Sequence, residues 1–274
     1  MQSTQDFTHL ILTRFNTAVD FAPPATGLDD AWLKSRLLLF ERYCLPTVAA
    51  QRHATFKWLV FCDAASPAWF KEKMSSYGDL VSPLYIDGPA TDEVIARSVA
   101  AAGLVSSSYL ITTRLDNDDG LGRDHLRLIQ RAFKQQDREF LVFPLGLQLY
   151  RGRLYHCYWK SNPFLSLVER VKGDGYFTTV LCVEHDRVRT TGKVRNIISA
   201  PQWLQVIHGS NLLNVLRGWP RVSRRALTAF SIPLANEGSD TIATQLRFST
   251  AAFITRGRRL WDKIVKGIRR RSAE

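Results

Sequence analysis

Short apolar runs separated by helix-length stretches fill the first half of the chain, and this alternation narrows the possible folds more than any other feature. His9–Arg14, Phe56–Cys62, Leu80–Ile86 and Tyr109–Thr113 each read as a buried strand. Between the first two, Ala31–Gln51 places Trp32, Leu33, Leu37, Phe40, Tyr43 and Cys44 at helical spacing, behind the acidic start Asp29-Asp30. Pro46 must kink or end that helix. Ser66 and Pro67 predict a second helix start, as N-cap and first residue, and Thr91-Asp-Glu predicts a third helix running to Ala102. Strands alternating with helices predict βαβ units and a mainly parallel sheet covered on both faces. Such a sheet binds ligands beyond the carboxyl ends of its strands.

From about Glu139 the texture changes. Phe140–Tyr150 and Leu154–Trp159 flank Arg151-Gly152-Arg153 and predict a β-hairpin. Asn162-Pro163 predicts a short helix through Val171, Tyr176–Val183 a further strand, and Pro201–Ile207 and Leu212–Leu216 helical pieces. Neither a repeat nor a low-complexity linker divides the chain, so residues 1–250 are expected to form one domain. The four cysteines are far apart, with no CxxC pair, which argues against a disulfide framework or a Cys-rich zinc site. The first residues lack the features of a signal peptide, and Ile197–Leu216, though uncharged, is too polar to span a membrane. The expectation is a cytoplasmic protein.

The chemistry concentrates in Asp116-Asn117-Asp118-Asp119-Gly120, directly after the fourth strand. Three carboxylates within four residues repel one another, so a fold that crowds them needs a reason. Oxygen ligands of this kind suit Mg²⁺ or Mn²⁺ shared with a diphosphate. An acidic solvated turn is the plainer reading. Arg14 and Arg114 both end strands and could grip phosphate oxygens in the same cleft, although an ion pair with the Asp cluster accounts equally for Arg114. Asp63 also follows a strand and could contact base or ribose, or cap a helix. There is no Gly-x-Ser-x-Gly elbow, Walker loop, HExxH or GxGxxG to suggest other chemistry.

A strand running into an Asp-x-Asp loop resembles glycosyltransferases of the GT-A fold. Four segments in order also resemble a bacterial rhamnosyltransferase family: Leu12-Thr-Arg-Phe-Asn16; Arg36-x3-Phe40-x5-Pro46 with Gln51; Thr113–Asp119; and Trp203-Leu-Gln-Val-Ile-His208-Gly-x-Asn211. The resemblance implies an α/β, Rossmann-like central sheet flanked by helices, with a smaller hairpin region on the acceptor side. It also implies a nucleotide-sugar donor, a glycan or lipid-linked acceptor and a role in polysaccharide biosynthesis. In that frame Asp118, Asp119 and His208 would hold Mn²⁺ or Mg²⁺, with Asp116 contacting the ribose or reaching the metal through water. Asn117-Asp118-Asp119 could equally be the loop that binds the donor, and His208 could instead be a hydrogen-bonded turn residue. Inverting transfer needs a carboxylate base on the acceptor hydroxyl. Glu169, placed on the short helix, is the first candidate and Asp174 the second, with Glu184 and Asp186 in reserve.

The whole chain carries net +12, which calls for an anionic partner without naming it. Residues 251–274 hold eight Lys or Arg against two acids, net +6. Phe253, Leu260, Trp261, Ile264, Val265 and Ile268 recur there at three- and four-residue spacing. The tail therefore reads as a basic amphipathic helix suited to an anionic membrane surface, or as a terminal helix packed on the domain. No nucleic-acid module is present, so nucleic acid is not expected as a partner. A catalytically inactive nucleotide-sugar binder is the main alternative to the transferase.

Overall fold

A computed structural model describes residues 6–18, 26–208 and 215–233. The four expected strands form one side of a seven-stranded sheet, with β3 at its edge: β1 (Phe7–Arg14), β2 (Lys57–Asp63), β3 (Ser82–Ile86) and β4 (Tyr109–Arg114). β1 pairs in parallel with both β2 and β4, and β2 with β3. The sheet is completed by β6 (Glu139–Val142), β9 (Leu165–Arg170) and β10 (Lys193–Asn196), in the order β10-β6-β9-β4-β1-β2-β3. Only β9 runs antiparallel to its neighbours. This is the mainly parallel α/β sheet that the sequence implied.

Alternate residues of each strand feed different layers. Ile11, Trp58, Val60 and Ile111 enter a core with Leu33, Phe40, Phe70 and Leu126. Those come from α1 (Asp30–Leu39) and the turn after it, α3 (Ala68–Ser75) and α5 (His125–Arg131). Leu10, Leu12, Leu59 and Leu110 face the other way, onto Ile95 and Val99 of α4 (Asp92–Ala101). Burial of both faces explains why these strands read as continuous apolar runs rather than alternating ones.

The first helix starts as expected, with the Asp29 side chain accepting from the Trp32 amide at 2.8 Å. As expected, the regular helix does not run unbroken through Pro46. A π-helical turn, Phe40–Cys44, leads into α2 (Leu45–Ala49), which carries Pro46 in its first turn. There the missing proline N–H is among the amides that need no intrahelical partner. Ser66 is not the cap of α3. Pro67 takes that position, and the Ser66 hydroxyl instead accepts from Asn16 Nδ2 at 2.9 Å.

A second, five-stranded sheet holds β5 (Gly120–Leu121), β7 (Leu145–Tyr150), β8 (Arg153–Tyr158), β11 (Trp203–Ile207) and β12 (Arg221–Val222). β7 and β8 are the predicted hairpin, closed by Arg151 and Gly152, both at positive φ. Four expectations fail. Phe140–Tyr150 is two strands, β6 in the large sheet and β7 in the small one, divided near Pro144. Asn162–Val171 is no helix but the antiparallel β9, buried on both faces between β4 and β6. Pro201–Ile207 is likewise a strand, β11. Tyr176–Val183 is irregular, and the Thr178, Thr179 and Val180 amides donate to the side chains of Glu169, Asp92 and Thr112 instead of to a neighbouring strand. Leu212–Asn214 and the 251–274 tail lie outside the described residues.

Two histidines are sealed in this core. His9 Nε2 lies 2.8 Å from the Thr113 hydroxyl and its Nδ1 3.1 Å from Gln130 Nε2. His125 Nδ1 lies 2.8 Å from the Gln202 carbonyl, while its buried Nε2 has no partner. Burial pushes the pKa of His9 down to about 3, with the charge of His125 adding to it, and burial lowers that of His125 to about 4. An unfolded histidine titrates near 6.5, so between there and pH 3–4 the unfolded chain binds protons that the folded chain refuses. Stability should therefore fall on acidification below pH 6.5, by about 1.4 kcal/mol per pH unit for each histidine. Thermal melts at pH 6.5, 5.5 and 4.5 should show a falling midpoint and a shallower decline in His125→Gln; a flat profile would contradict sealed, neutral imidazoles.

Candidate functional site

The site forms where the carboxyl edge of the large sheet meets the small one. Leu12 of β1 is in register with Arg114 of β4, which sets Arg14 level with Asp116 just beyond the strand end. The chain then runs through the acidic loop into β5, whose Gly120 and Leu121 pair antiparallel with Leu204 and Trp203 of β11. Gly120 is required by proximity: a Cβ there would lie 2.9 Å from Thr47 Cγ2 and 3.3 Å from the Tyr43 carbonyl. The acidic loop thus packs directly on the first helical segment.

Within the loop the polar side chains take four different roles. Asp116 receives Arg114 Nε on Oδ1 at 3.3 Å and Nη2 on Oδ2 at 3.2 Å. Burial alone would raise its pKa, but the nearby Arg114 and Arg14 guanidiniums hold it below the usual carboxylate range. The Asn117 amide donates to the Phe15 carbonyl at 2.8 Å, tying the loop to the end of β1. Asp118 Oδ2 lies 2.8 Å from His208 Nε2 and 3.1 Å from Arg36 Nη1. Asp119 turns inward, where its Oδ1 accepts from the Val206 amide at 2.8 Å. Burial and the Asp118 and Asp116 charges push its pKa well above the usual range, more than the Val206 bond offsets.

The Arg14 side chain makes no hydrogen bond or ion pair among the described residues. Burial, followed by the like charge of Arg114, lowers its pKa, whereas Asp116 and Glu184 pull the other way. Asp63 ends β2, and its Oδ1 accepts from the Ala65 amide at 2.8 Å, so it shapes the turn into α3. Beside it, Asn16 Oδ1 accepts from the Asp63 amide at 3.2 Å, and Asn16 Nδ2 donates to the Gly27 carbonyl and the Ser66 hydroxyl.

Neither leading candidate for the base is at this edge. Glu169 lies on β9 opposite Leu110, four residues back from Arg114, which is about 13 Å along a strand. It is buried and receives both the amide and the hydroxyl of Thr178, with Arg138 Nη1 3.9 Å away. Asp174 sits in the exposed turn after β9, where its Oδ1 accepts from the Tyr176 amide at 2.9 Å. An antiparallel strand carries its later residues away from the carboxyl edge, and the predicted helix hid that direction. Glu184 does reach the cluster, with Oε2 4.0 Å from Arg114 Nη1 and its side chain 71% exposed. The next residue, His185, lies 2.7 Å from the Ser161 carbonyl through Nδ1 and packs edge-on against Trp159.

Arg36 is the site residue that sequence reasoning missed. It stands in the Arg36-x3-Phe40 segment of the family resemblance, and Trp32, one turn earlier, keeps an indole 5.4 Å from its Cζ. Both signals were present, but neither said which way the helix would point. For a divalent ion, the expected trio is only partly assembled. Among the described residues no three His, Cys, Asp or Glu side chains form a group that could hold a metal. Asp118 Oδ2 and His208 Nε2 do converge, at nearly the ~3 Å that separates adjacent ligands of a hard cation bonded at 2.0–2.2 Å. One carboxylate and one imidazole fit an ion that takes its other oxygens from substrate phosphates and water.

A family model described as "Putative rhamnosyl transferase" matches residues 24–216. The chain belongs to this family. The match takes in the first helix, the acidic loop, β11 and His208, and so covers most of the candidate site described above. No curated protein matches the chain. Among solved structures it is similar to Staphylococcus aureus TarS residues 1–349 in complex with UDP-GlcNAc, at 10% identity and TM-score 0.47, over 75% of this chain and 59% of that one. It therefore spans about three-fifths of that TarS chain. It is also similar to a Desulfovibrio desulfuricans G20 protein described as a "putative nucleotide-diphospho-sugar transferase", at 11% identity and TM-score 0.39, over 73% of this chain and 82% of that one.

The two aspartates with opposite shifts should respond differently to neutral replacement. Asp116→Asn strips the charge from its pair with Arg114 and should destabilise by about 1–3 kcal/mol, reduced from the fully buried case because Asp116 is a third exposed. Asp119→Asn keeps the acceptor for Val206 and should change stability by less than about 1 kcal/mol. Urea unfolding at pH 7 compares them, and an equal loss in both would contradict the assignment.

Proposed function

We propose that this protein transfers a sugar, rhamnose on the family description, from a nucleoside-diphosphate donor to a hydroxyl of a bacterial surface glycan or lipid-linked acceptor. The observation that carries this reading is the convergence of Arg14, Arg114, Asp118 and His208 at one sheet edge, in a chain of this family. Arg14 is a guanidinium with no ion-pair partner among the described residues, which suits it to phosphate oxygens. Arg114 is held by Asp116 and Glu184, which suits it to orienting the site. Asp118 and His208, with Asp119 behind them, would hold Mn²⁺ or Mg²⁺; when bound, the ion supplies charge to the departing diphosphate. Asn117 and Asp63 support the donor site by shaping its two loops rather than by presenting free groups.

In the transfer the acceptor oxygen bonds to the anomeric carbon as the carbon–oxygen bond to phosphate breaks. The electron pair leaves on the diphosphate, and the hydroxyl proton passes to a carboxylate. Glu184 takes that role in place of Glu169 and Asp174, because it alone of these three reaches the cluster and is open to solvent. No helix among the described residues is long and apolar enough to cross a membrane. The basic pattern of residues 251–274 supports a peripheral position on an anionic bilayer, each surface Lys or Arg contributing about 1 kcal/mol. Truncation after Thr250 should then weaken sedimentation with phosphatidylserine vesicles, and equal sedimentation would remove the membrane from the proposal.

The donor is tested by thermal stability with UDP, GDP and dTDP, each with Mn²⁺ or with EDTA. A cognate nucleotide at a hundred times its Kd should add about 2.7 kcal/mol. The gain should shrink in Arg14→Ala, and no gain with any nucleotide on folded protein would overturn the transferase reading.

A further inference from the structure

Arg36 Nη1 lies 3.1 Å from Asp118 Oδ2 and 3.2 Å from His208 Nε2, while those two acceptors are themselves 2.8 Å apart. The three groups come from the first helix, the acidic loop and the end of β11, so nothing local in the chain forces them together. They also cannot all be paired at once. If His208 Nε2 donates to Asp118, it has no lone pair for Arg36; if it accepts from Arg36, it has no proton for Asp118. What remains constant is a positive nitrogen against two atoms that could both serve as ligands of a hard cation.

The guanidinium is also poorly held there. Only Nη1 reaches Asp118, at a distance longer than the usual 2.7–2.9 Å of a charge-assisted bond. Its Nε is buried without an acceptor. Arg114, a short way along the same edge, instead grips Asp116 through two nitrogens. A diphosphate offers several oxygens in the fork geometry a guanidinium prefers, and could satisfy the Nε–H that Asp118 leaves bare. Trp32 beside Cζ keeps the Arg36 stem in place while its head changes partner.

We propose that Arg36 is a resident cation at Asp118 and His208, which a divalent metal ion replaces when the donor's diphosphate draws the guanidinium away. This rests on the transferase reading and adds to it a residue that couples metal binding to donor binding. With no donor present, Arg36 repels the ion from its own ligands and keeps the intrinsic metal affinity low. With the donor bound, the same positive charge moves onto phosphate, and Asp118 and His208 become available.

The test is Mn²⁺ affinity without nucleotide, measured on the full chain from the free-ion EPR signal. Arg36→Gln removes the competing charge and should tighten Mn²⁺ binding by about tenfold or more, whereas Arg36→Lys keeps the charge and should stay within about threefold of the parent. Adding Asp118→Asn to Arg36→Gln should abolish the gain. If Arg36→Gln does not fold, Arg36→Met, which preserves the stem beside Trp32, carries the same expectation. Unchanged or weaker Mn²⁺ binding on removing the charge overturns the proposal, as does Mn²⁺ binding by none of the chains. The transferase reading survives either result if UDP, GDP or dTDP still stabilises the protein, with Mn²⁺ or in EDTA, and falls separately if none does in either condition.

Discussion

The buried hydrogen bond from the Val206 amide to Asp119 joins the two sheets at the one point on which the site depends. β5 is only two residues long, so its pairing with β11 ends at Leu204. Val206 lies beyond it, and a buried N–H without an acceptor is costly. The Asp119 carboxyl extends the seam by one more bond and carries the strand on to His208. The cost appears in Asp119 itself, whose burial beside two other carboxylates drives it toward the neutral form. Crowding of three acids follows from one of them working as a structural acceptor while the others face the cleft.

Around that seam, positive charge is distributed unevenly. Arg114 has two carboxylates near it, Arg14 has no ion pair, and Arg36 touches Asp118 through one nitrogen. A set of buried guanidiniums that were all neutralised locally would be finished as structure. Arg14, without an ion pair among the described residues, leaves the edge with an attraction for anions, in the cleft where a parallel sheet exposes its strand ends. The chain's net positive charge gains a specific address in this way.

Much of the fold was legible because it rested on burial. β1, β2 and β4 lie in the middle of a covered sheet, and their apolar runs say so. β9 and β11 were misread because Leu165–Val168 and Trp203–Ile207 are short and mostly apolar, and such a run does not distinguish strand from helix. The error over Glu169 followed from that one. On a helix it could have faced the cleft; on an antiparallel strand it is carried to the far end of the sheet and enclosed by Thr178 and Arg138. The acidic loop was recognisable from its three carboxylates, but their separate tasks were not.

The sequence by itself determined the α/β class, the strands of the parallel half and the loop where the acids gather, because hydrophobic period and local charge are written in neighbouring residues. Only the tertiary structure decided that Asp119 turns inward, that Arg36 and His208 meet at Asp118, and that Glu184 rather than Glu169 approaches Arg114. These contacts join residues 70 to 172 positions apart. Their partners are chosen by strand direction and sheet order, which no local pattern records.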